Sequence, residues 1–377
     1  MRTRKRLLFN ANVAWFFISH RLALARAARD AGYEVHVAAN FESEVEATTI
    51  AREGFQFHRV ALRRGTLNPV GDLRYVMQLV ALMRRLKPDL LHNVTVKPVI
   101  YGSLVARVVG VRRIVNAISG LGYSFSGGES RRLLSMIVRC GYRFALRTAH
   151  TRVIFQNPDD AREFVEAGVV TAAQVHLIRG SGVDLQLFYP GIEPGGVPQV
   201  VLPARMLRDK GVVEFAGAAR LLRSRGITAR FLLAGMCDEE NPAGLGLHEL
   251  QRLEQHTGVE WLGHVDDMAA LYRSASVVCL PSYREGLPKA LLEACAAGRA
   301  IVTTDVPGCR EVVTDGVNGL LVKPRDVLSL AEALARLLGD PQLRLRLGAA
   351  GRQRAETEFD LQLIVRATLE LYRELLA

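Results

Sequence analysis

The 377-residue chain is short of the features that would place it in several common classes. It has five cysteines, scattered and odd in number (Cys140, Cys237, Cys279, Cys295, Cys309), and no Cys-x-x-Cys. They read as small core residues or loop thiols in a reducing compartment. No stretch approaches the roughly 18 apolar residues of a membrane span. The opening Met-Arg-Thr-Arg-Lys-Arg-Leu-Leu-Phe-Asn is a basic head with too few apolar residues for a signal peptide. The expected location is cytoplasmic, with the membrane surface still open to it. No Asp-x-Asp occurs and no His/Asp/Glu cluster has metal-ligand spacing, so no metal is expected. The glycine-poor loop Asn10-Ala-Asn-Val-Ala-Trp15 carries no dinucleotide fingerprint, which argues against a dehydrogenase. Aromatics interleaved with basic residues for base stacking are scarce, which argues against nucleic acid.

Apolar content of 49% and charged content of 23% are ordinary for a globular protein, and the length suggests two domains. The net charge of +11 is uneven: residues 1–190 hold 27 Lys/Arg against 14 Asp/Glu, and residues 191–377 hold 22 against 24. The first half therefore suits an anionic partner: nucleic acid, a phospholipid surface or a phosphorylated acceptor. Helix-like stretches end six times in glycine and run into a β-branched or aromatic strand, at Gly32, Gly54, Gly110, Gly226, Gly258 and Gly298. Such helix-closing glycines imply alternating α and β throughout. Strands are predicted at 5–10, 33–39, 55–60, 89–92, 113–117 and 151–155, then at 199–203, 229–234, 259–262, 276–280 and 300–304. Between the two sets, Phe188 to Pro198 holds three Pro and three Gly in 11 residues and reads as a linker. The predicted organisation is α/β with two doubly wound, Rossmann-like domains, 1–184 and 199–358. A linker at 185–198 joins them, and a helical tail at 359–377 is left open to return to the first domain.

Pro281 to Glu293, Pro-Ser-Tyr-Arg-Glu-Gly-Leu-Pro-Lys-Ala-Leu-Leu-Glu, carries the most chemistry. A buried-strand pattern precedes it, and 289–297 reads as a helix with Pro288 in its first turn and Gly298 as its stop. Glu285 then lies at the carboxyl end of a strand, where open α/β sheets bind ligands. Glu293 lies on the following helix with its side chain tilted back toward that loop. Strand 199–203 likewise runs into Arg205 and Lys210, two cations able to neutralise a diphosphate, the first as a fork and the second as a point charge. Gly235 ends strand 229–234, where the lack of a side chain would let a phosphate approach. A donor with both hydroxyls and phosphates fits these groups.

Arg205…Lys210, Leu233-Ala-Gly235, Trp261-Leu-Gly-His264 and Glu285-Gly-Leu-Pro…Glu293-Ala resemble the donor domain of retaining, nucleotide-sugar glycosyltransferases of family four. The resemblance implies the GT-B fold, with the two domains facing a central cleft. It implies that Arg205 and Lys210 hold the nucleotide diphosphate and that Glu293 binds the ribose hydroxyls. Glu285 would contact the donor sugar and act in catalysis, and the main chain after Trp261-Leu-Gly would receive the base. Gly235, His264, Gly286 and Leu287 complete the implied donor-binding set.

Phe17-Ile-Ser-His20-Arg21, Thr66-Leu-Asn-Pro69, Lys97 and Gly120-Leu-Gly122 resemble a narrower group, bacterial enzymes that extend sugars carried on undecaprenyl diphosphate. His20 and Arg21 are expected to open the first helix, and His92 and Lys97 to follow strand 89–92. These four are the candidate acceptor-binding residues. Many members of the broad family place a histidine after the strand at 113–117; here Ile118-Ser119-Gly120 stands there, leaving Ser119 as the catalytic candidate. Arg132, Arg139, Arg143 and Arg147 fall within an arc of about 80° on one helix and suggest an anionic lipid surface. The combined expectation is retaining transfer from a nucleotide sugar, taken as a UDP-sugar, to a lipid-linked saccharide, with no metal and no nucleic acid, at the inner membrane face. An epimerase or hydrolase of the same fold, and a basic nucleic-acid-binding protein, are the alternatives.

Overall fold

The computed structural model describes residues 4–62, 68–120, 129–148, 150–193, 195–238 and 241–377, with backbone only for 129–135 and 137. The chain divides into two compact units, Met1–Ser181 with Ile364–Ala377, and Gly182–Leu363.

The first unit is built on seven strands: β1 (Arg6–Val13), β2 (Glu34–Asn40), β3 (Gln56–Arg59), β4 (Leu90–Val94), β5 (Ile114–Ile118), β6 (Thr151–Phe155) and β7 (Val175–Leu177). They form one parallel sheet in the order β3-β2-β1-β4-β5-β6-β7. The second unit carries β8 (Gln199–Pro203), β9 (Arg230–Ala234), β10 (Glu260–Gly263), β11 (Val277–Leu280), β12 (Ala300–Thr304) and β13 (Leu320–Val322). Its parallel order is β10-β9-β8-β11-β12-β13. Helices cover both faces of such sheets, so central strands are buried on both sides and read as unbroken apolar runs. Strands β4, β5, β11 and β12 are buried along their whole length.

In each sheet the order reverses beside the first strand, between β1 and β4 and between β8 and β11. The carboxyl ends of the strands at such a reversal border the crevice where doubly wound domains take ligands. Residue order therefore brings the loop after β8 beside the loop after β11, although about 75 residues separate them in the chain.

All eleven predicted strands are present, and all six helix-closing glycines have positive φ, from 65° to 94°. The pattern missed β7 and β13, three-residue strands at the sheet edges and too short to show a period. Two local expectations are corrected. The first loop does not exist: β1 runs to Val13 and the helix Ala14–Asp30 follows at once. Pro288 is the residue before the helix Lys289–Ala296, in extended conformation, and not part of its first turn. The segment 185–198, read as the linker, packs on the second unit. Phe188 is in its core, Arg299 donates to the Gly191 carbonyl (2.8 Å), and Arg344 pairs with Glu193 at 2.7 Å.

Candidate functional site

In the second unit, the loop after β8 closes with the short turn Arg208–Lys210 before the helix Val212–Ser224. This places Lys210 Nζ 2.5 Å from Glu285 Oε1, in the loop after β11. Ser282 Oγ donates to the same oxygen at 2.7 Å. The loop is itself tied to β12, because Thr303 Oγ1 donates to the Leu280 carbonyl (2.6 Å) and Thr304 Oγ1 to that of Ser282. Glu285 is thus held through one oxygen by two donors, and its side chain is only 10% exposed.

Arg205 stands one residue beyond the end of β8 and forms an ion pair with Asp238, in the loop after β9. Both proposed phosphate-binding cations therefore meet a carboxylate, and a diphosphate would compete with those carboxylates for them. Gly235 has φ 151°, and a Cβ there would lie 2.0 Å from the Ala204 carbonyl oxygen. The glycine is thus needed for backbone packing against the loop after β8, a requirement the sequence did not show. Trp261 Nε1 donates to the Gly235 carbonyl at 2.8 Å and fixes the same corner from β10. His264 is well exposed, 3.2 Å from Asp266. Leu287 is buried against the apolar core below the loop, and Gly286 is buried beside it.

Glu293 is nearly enclosed. The Tyr272 hydroxyl, from the helix Met268–Ser274, lies 3.1 Å from its Oε2, and Lys289 Nζ lies 3.4 Å from its Oε1. Burial pushes its carboxyl above the usual range, while Lys289 and the Tyr272 hydroxyl pull it back down. A carboxylate placed this way can accept hydrogen bonds from hydroxyl groups of a ligand.

The first unit sorts its candidates differently. His20 and Arg21 do not open the first helix but lie in the middle of Ala14–Asp30. His20 stacks on Phe16 with ring centroids 4.2 Å apart and remains partly accessible. Arg21 is buried, its Nη1 on the His20 carbonyl, and burial lowers its pKa to about 10. His92 lies within β4, not after it, and is 1% exposed. Its ring packs on Phe9, and its Nδ1 is hydrogen-bonded with the Tyr372 hydroxyl of the final helix Leu361–Leu376. Burial, reinforced by Arg21, holds it neutral. Both of these candidate acceptor-binding residues therefore have buried side chains. Lys97 pairs with Asp72 at 2.7 Å, and Tyr101 OH donates to the other Asp72 oxygen at 3.0 Å. Ser119 follows β5, its buried hydroxyl without a hydrogen-bond partner among the described residues. Thr66 and Gly122 lie outside the described residues, as does the Arg132 side chain. Of the arginine arc, Arg139 is tied to Glu163, while Arg143 and Arg147 are exposed.

Three contributors carried no signal in the sequence. Asp238, Tyr272 and Ser282 are ordinary residues whose roles come only from their partners. A buried ladder in the first unit was equally silent: Asn10 Nδ2 donates to Asn93 Oδ1 and Asn93 Nδ2 to Asn116 Oδ1, both at 2.9 Å, and Tyr75 OH donates to Asn10 Oδ1. It links β1, β4 and β5 side by side, across the point where the strand order reverses.

Residues 6–157 match the family described as Glycosyl transferase 4-like, and residues 197–340 match Glycosyl transferases group 1. The chain is 29% identical over 379 residues to the N,N'-diacetylbacillosaminyl-diphospho-undecaprenol alpha-1,3-N-acetylgalactosaminyltransferase of Campylobacter jejuni, covering 94% of this chain and 97% of that one. It is 24% identical over 287 residues to the Escherichia coli UDP-Gal:alpha-D-GlcNAc-diphosphoundecaprenol alpha-1,3-galactosyltransferase, with 73% of each chain covered. Sucrose-phosphate synthase from Thermosynechococcus elongatus shares the fold, with a TM-score of 0.80, 23% identity and 99% of each chain covered. With two parallel-sheet domains, each matched by its own glycosyltransferase family, the chain is a glycosyltransferase of the GT-B fold, combining a glycosyl transferase 4-like domain with a group 1 domain.

Proposed function

We propose that this glycosyltransferase moves a sugar, an N-acetylhexosamine or hexose, from a UDP-sugar to a saccharide carried on polyprenyl diphosphate, retaining the anomeric configuration and using no metal. The observation that carries the donor half is the meeting of Lys210, Glu285 and Ser282 where the second sheet reverses its strand order. Lys210 and Arg205 would take the diphosphate, and Glu293 would accept the ribose hydroxyls. Glu285, released from Lys210, would accept hydroxyls of the donor sugar. As the bond from anomeric carbon to diphosphate oxygen breaks, negative charge grows on the diphosphate. The two cations stabilise it in place, which is the main contribution the protein can make to the barrier. The leaving diphosphate would take the acceptor hydroxyl's proton, on the face from which it departs, so the new linkage would be α.

Two observations support the lipid-linked acceptor. Both curated relatives described above are named for diphospho-undecaprenol substrates. The first half of the chain also holds the excess positive charge that such a substrate's phosphates and its membrane would attract. Among the described residues no helix is long and apolar enough to cross a membrane, and the reading places the enzyme peripherally on the inner membrane face. The test is transfer of labelled sugar into the organic-extractable fraction, run with UDP-, GDP- and ADP-sugars and a polyprenyl-diphosphate-linked saccharide. Incorporation with a UDP-sugar alone is expected. Free sugar released from donor at a rate indifferent to the acceptor lipid would make the protein a hydrolase instead.

A further inference from the structure

The helix Pro69–Leu86 divides its residues in an unusual way. Its inner side, with Tyr75, Leu79, Leu82, Met83 and Leu86, packs into the apolar core beside β1 and β4. Its outer side exposes Val70 (80%), Leu73 (59%) and Met77 (58%), with Arg74, Arg84 and Arg85 exposed among and beyond them. At 100° per residue these six fall within an arc of about 120°. The helix's one acid, Asp72, points inward and is held by Lys97 and Tyr101. None of the three arginines meets a carboxylate among the described residues. An exposed helical face in a water-facing protein would ordinarily be polar and of mixed charge. This one holds Val70, Leu73 and Met77 with three arginines and the small Ala81, and no acid.

We propose that this face of Pro69–Leu86 seats the enzyme on an anionic lipid bilayer, with Val70, Leu73 and Met77 entering the acyl boundary and the arginines meeting lipid phosphates. Combined apolar and basic character is what interfacial helices need, because neither signal holds a protein on a bilayer well by itself. A second copy of the chain is a poor occupant: a two-fold contact would set three arginines against three. The proposal deepens the membrane-carried acceptor of the proposed function, on which it rests. It locates the docking surface on a different helix from the arginine arc expected from sequence, one of whose members is already neutralised by Glu163.

The test is co-sedimentation of the full chain with vesicles of phosphatidylglycerol and phosphatidylcholine, across a salt series. The triple variant Arg74→Gln, Arg84→Gln, Arg85→Gln should lose roughly fivefold in affinity per arginine at low salt, with a shallower salt dependence. The triple variant Val70→Ser, Leu73→Ser, Met77→Ser should bind about tenfold or more weakly at every salt concentration. In a Met77→Trp variant, brominated acyl chains should quench emission beyond the wild-type level. Wild-type binding by the apolar variant together with an unquenched Trp would overturn the proposal. So would a lipid-free dimer that the apolar variant abolishes. Transfer to a polyprenyl-diphosphate-linked saccharide separates the two ideas: a wild-type enzyme that sediments with vesicles but never transfers to that acceptor would sink the acceptor reading and leave the docking face standing.

Discussion

Lys210 Nζ lies 2.5 Å from Glu285 Oε1, so a cation and a carboxylate contributed by two different strand ends neutralise each other. Ser282 holds the same carboxylate oxygen from 2.7 Å. In the proposed function, donor binding exchanges this pair for one between Lys210 and phosphate. Glu285→Gln frees Lys210 of its counter-ion while removing a charged acceptor for the sugar. Turnover should fall about 10²-fold, on the scale of losing one charge-stabilising group. UDP affinity, measured by calorimetry, should not weaken. A variant that binds UDP much less tightly would show that Glu285 serves the nucleotide and not the sugar.

Arg205→Ala should cost roughly 2–4 kcal/mol of transition-state stabilisation with an intact circular dichroism spectrum. Steady-state kinetics across donor concentrations gives the figure. Its partner Asp238 should behave oppositely toward ligand: Asp238→Asn removes the carboxylate that competes with the diphosphate for Arg205. Near-normal kcat/KM in Arg205→Ala would remove the diphosphate assignment.

Glu293 should make nucleotide binding sensitive to acid. Its ionised form is assigned to the ribose, so UDP affinity should be constant above its folded pKa and fall as pH drops through it. Burial has raised that pKa above the model-peptide value of 4.5, so the fall begins at a higher pH than an exposed glutamate would give. The Tyr272 hydroxyl stabilises the charged form, so Tyr272→Phe should move the fall to higher pH still. The other charged group on the carboxyl is Lys289; Arg352 and Arg354, on the packed helix Pro341–Arg354, are directed to Glu356 and Glu358. For stability the sign reverses: a raised folded pKa means that ionisation costs more in the folded state, so this residue's contribution worsens as pH rises. Glu293→Gln should therefore lose UDP affinity at pH 7 while its Tm stays level or rises. Calorimetry and thermal melts over a pH series check both, and an unmoved acid limb in Tyr272→Phe would detach Tyr272 from the site.

Activity should survive excess EDTA, because Arg205 and Lys210 are placed to carry the charge that a divalent ion would otherwise balance. An enzyme silenced by chelation and restored by magnesium or manganese would refute that division of labour.

Gly102→Ala tests the buried asparagine ladder. A Cβ at Gly102 would lie 2.1 Å from Asn93 Oδ1 and 2.7 Å from Asn10 Nδ2, and both side chains are fully buried. Overpacking and a broken buried network together should cost about 2–4 kcal/mol in urea denaturation. A variant as stable as wild type would mean the ladder can rearrange freely.

The sequence by itself determined the class of fold, because helix-closing glycines and buried-strand runs are local signals that each report on a few neighbouring residues. It also placed Arg205, Lys210 and Glu285 at strand carboxyl ends, since a strand pattern followed by a helix start locates the loop between them. Tertiary structure alone decided which of those loops meet. The reversal of strand order between β8 and β11 joins Lys210 to Glu285, and no local pattern encodes that order. It also decided which way a side chain on a known element faces. Arg21 and His92 look like ligand-binding cations in the sequence, but the register of β4 and the packing of the final helix turn them inward, against Phe9 and Tyr372. Val70, Leu73 and Met77 look like core residues and face outward. Apolar periodicity marks a helix's faces but not which one is covered, because that depends on elements distant in the chain.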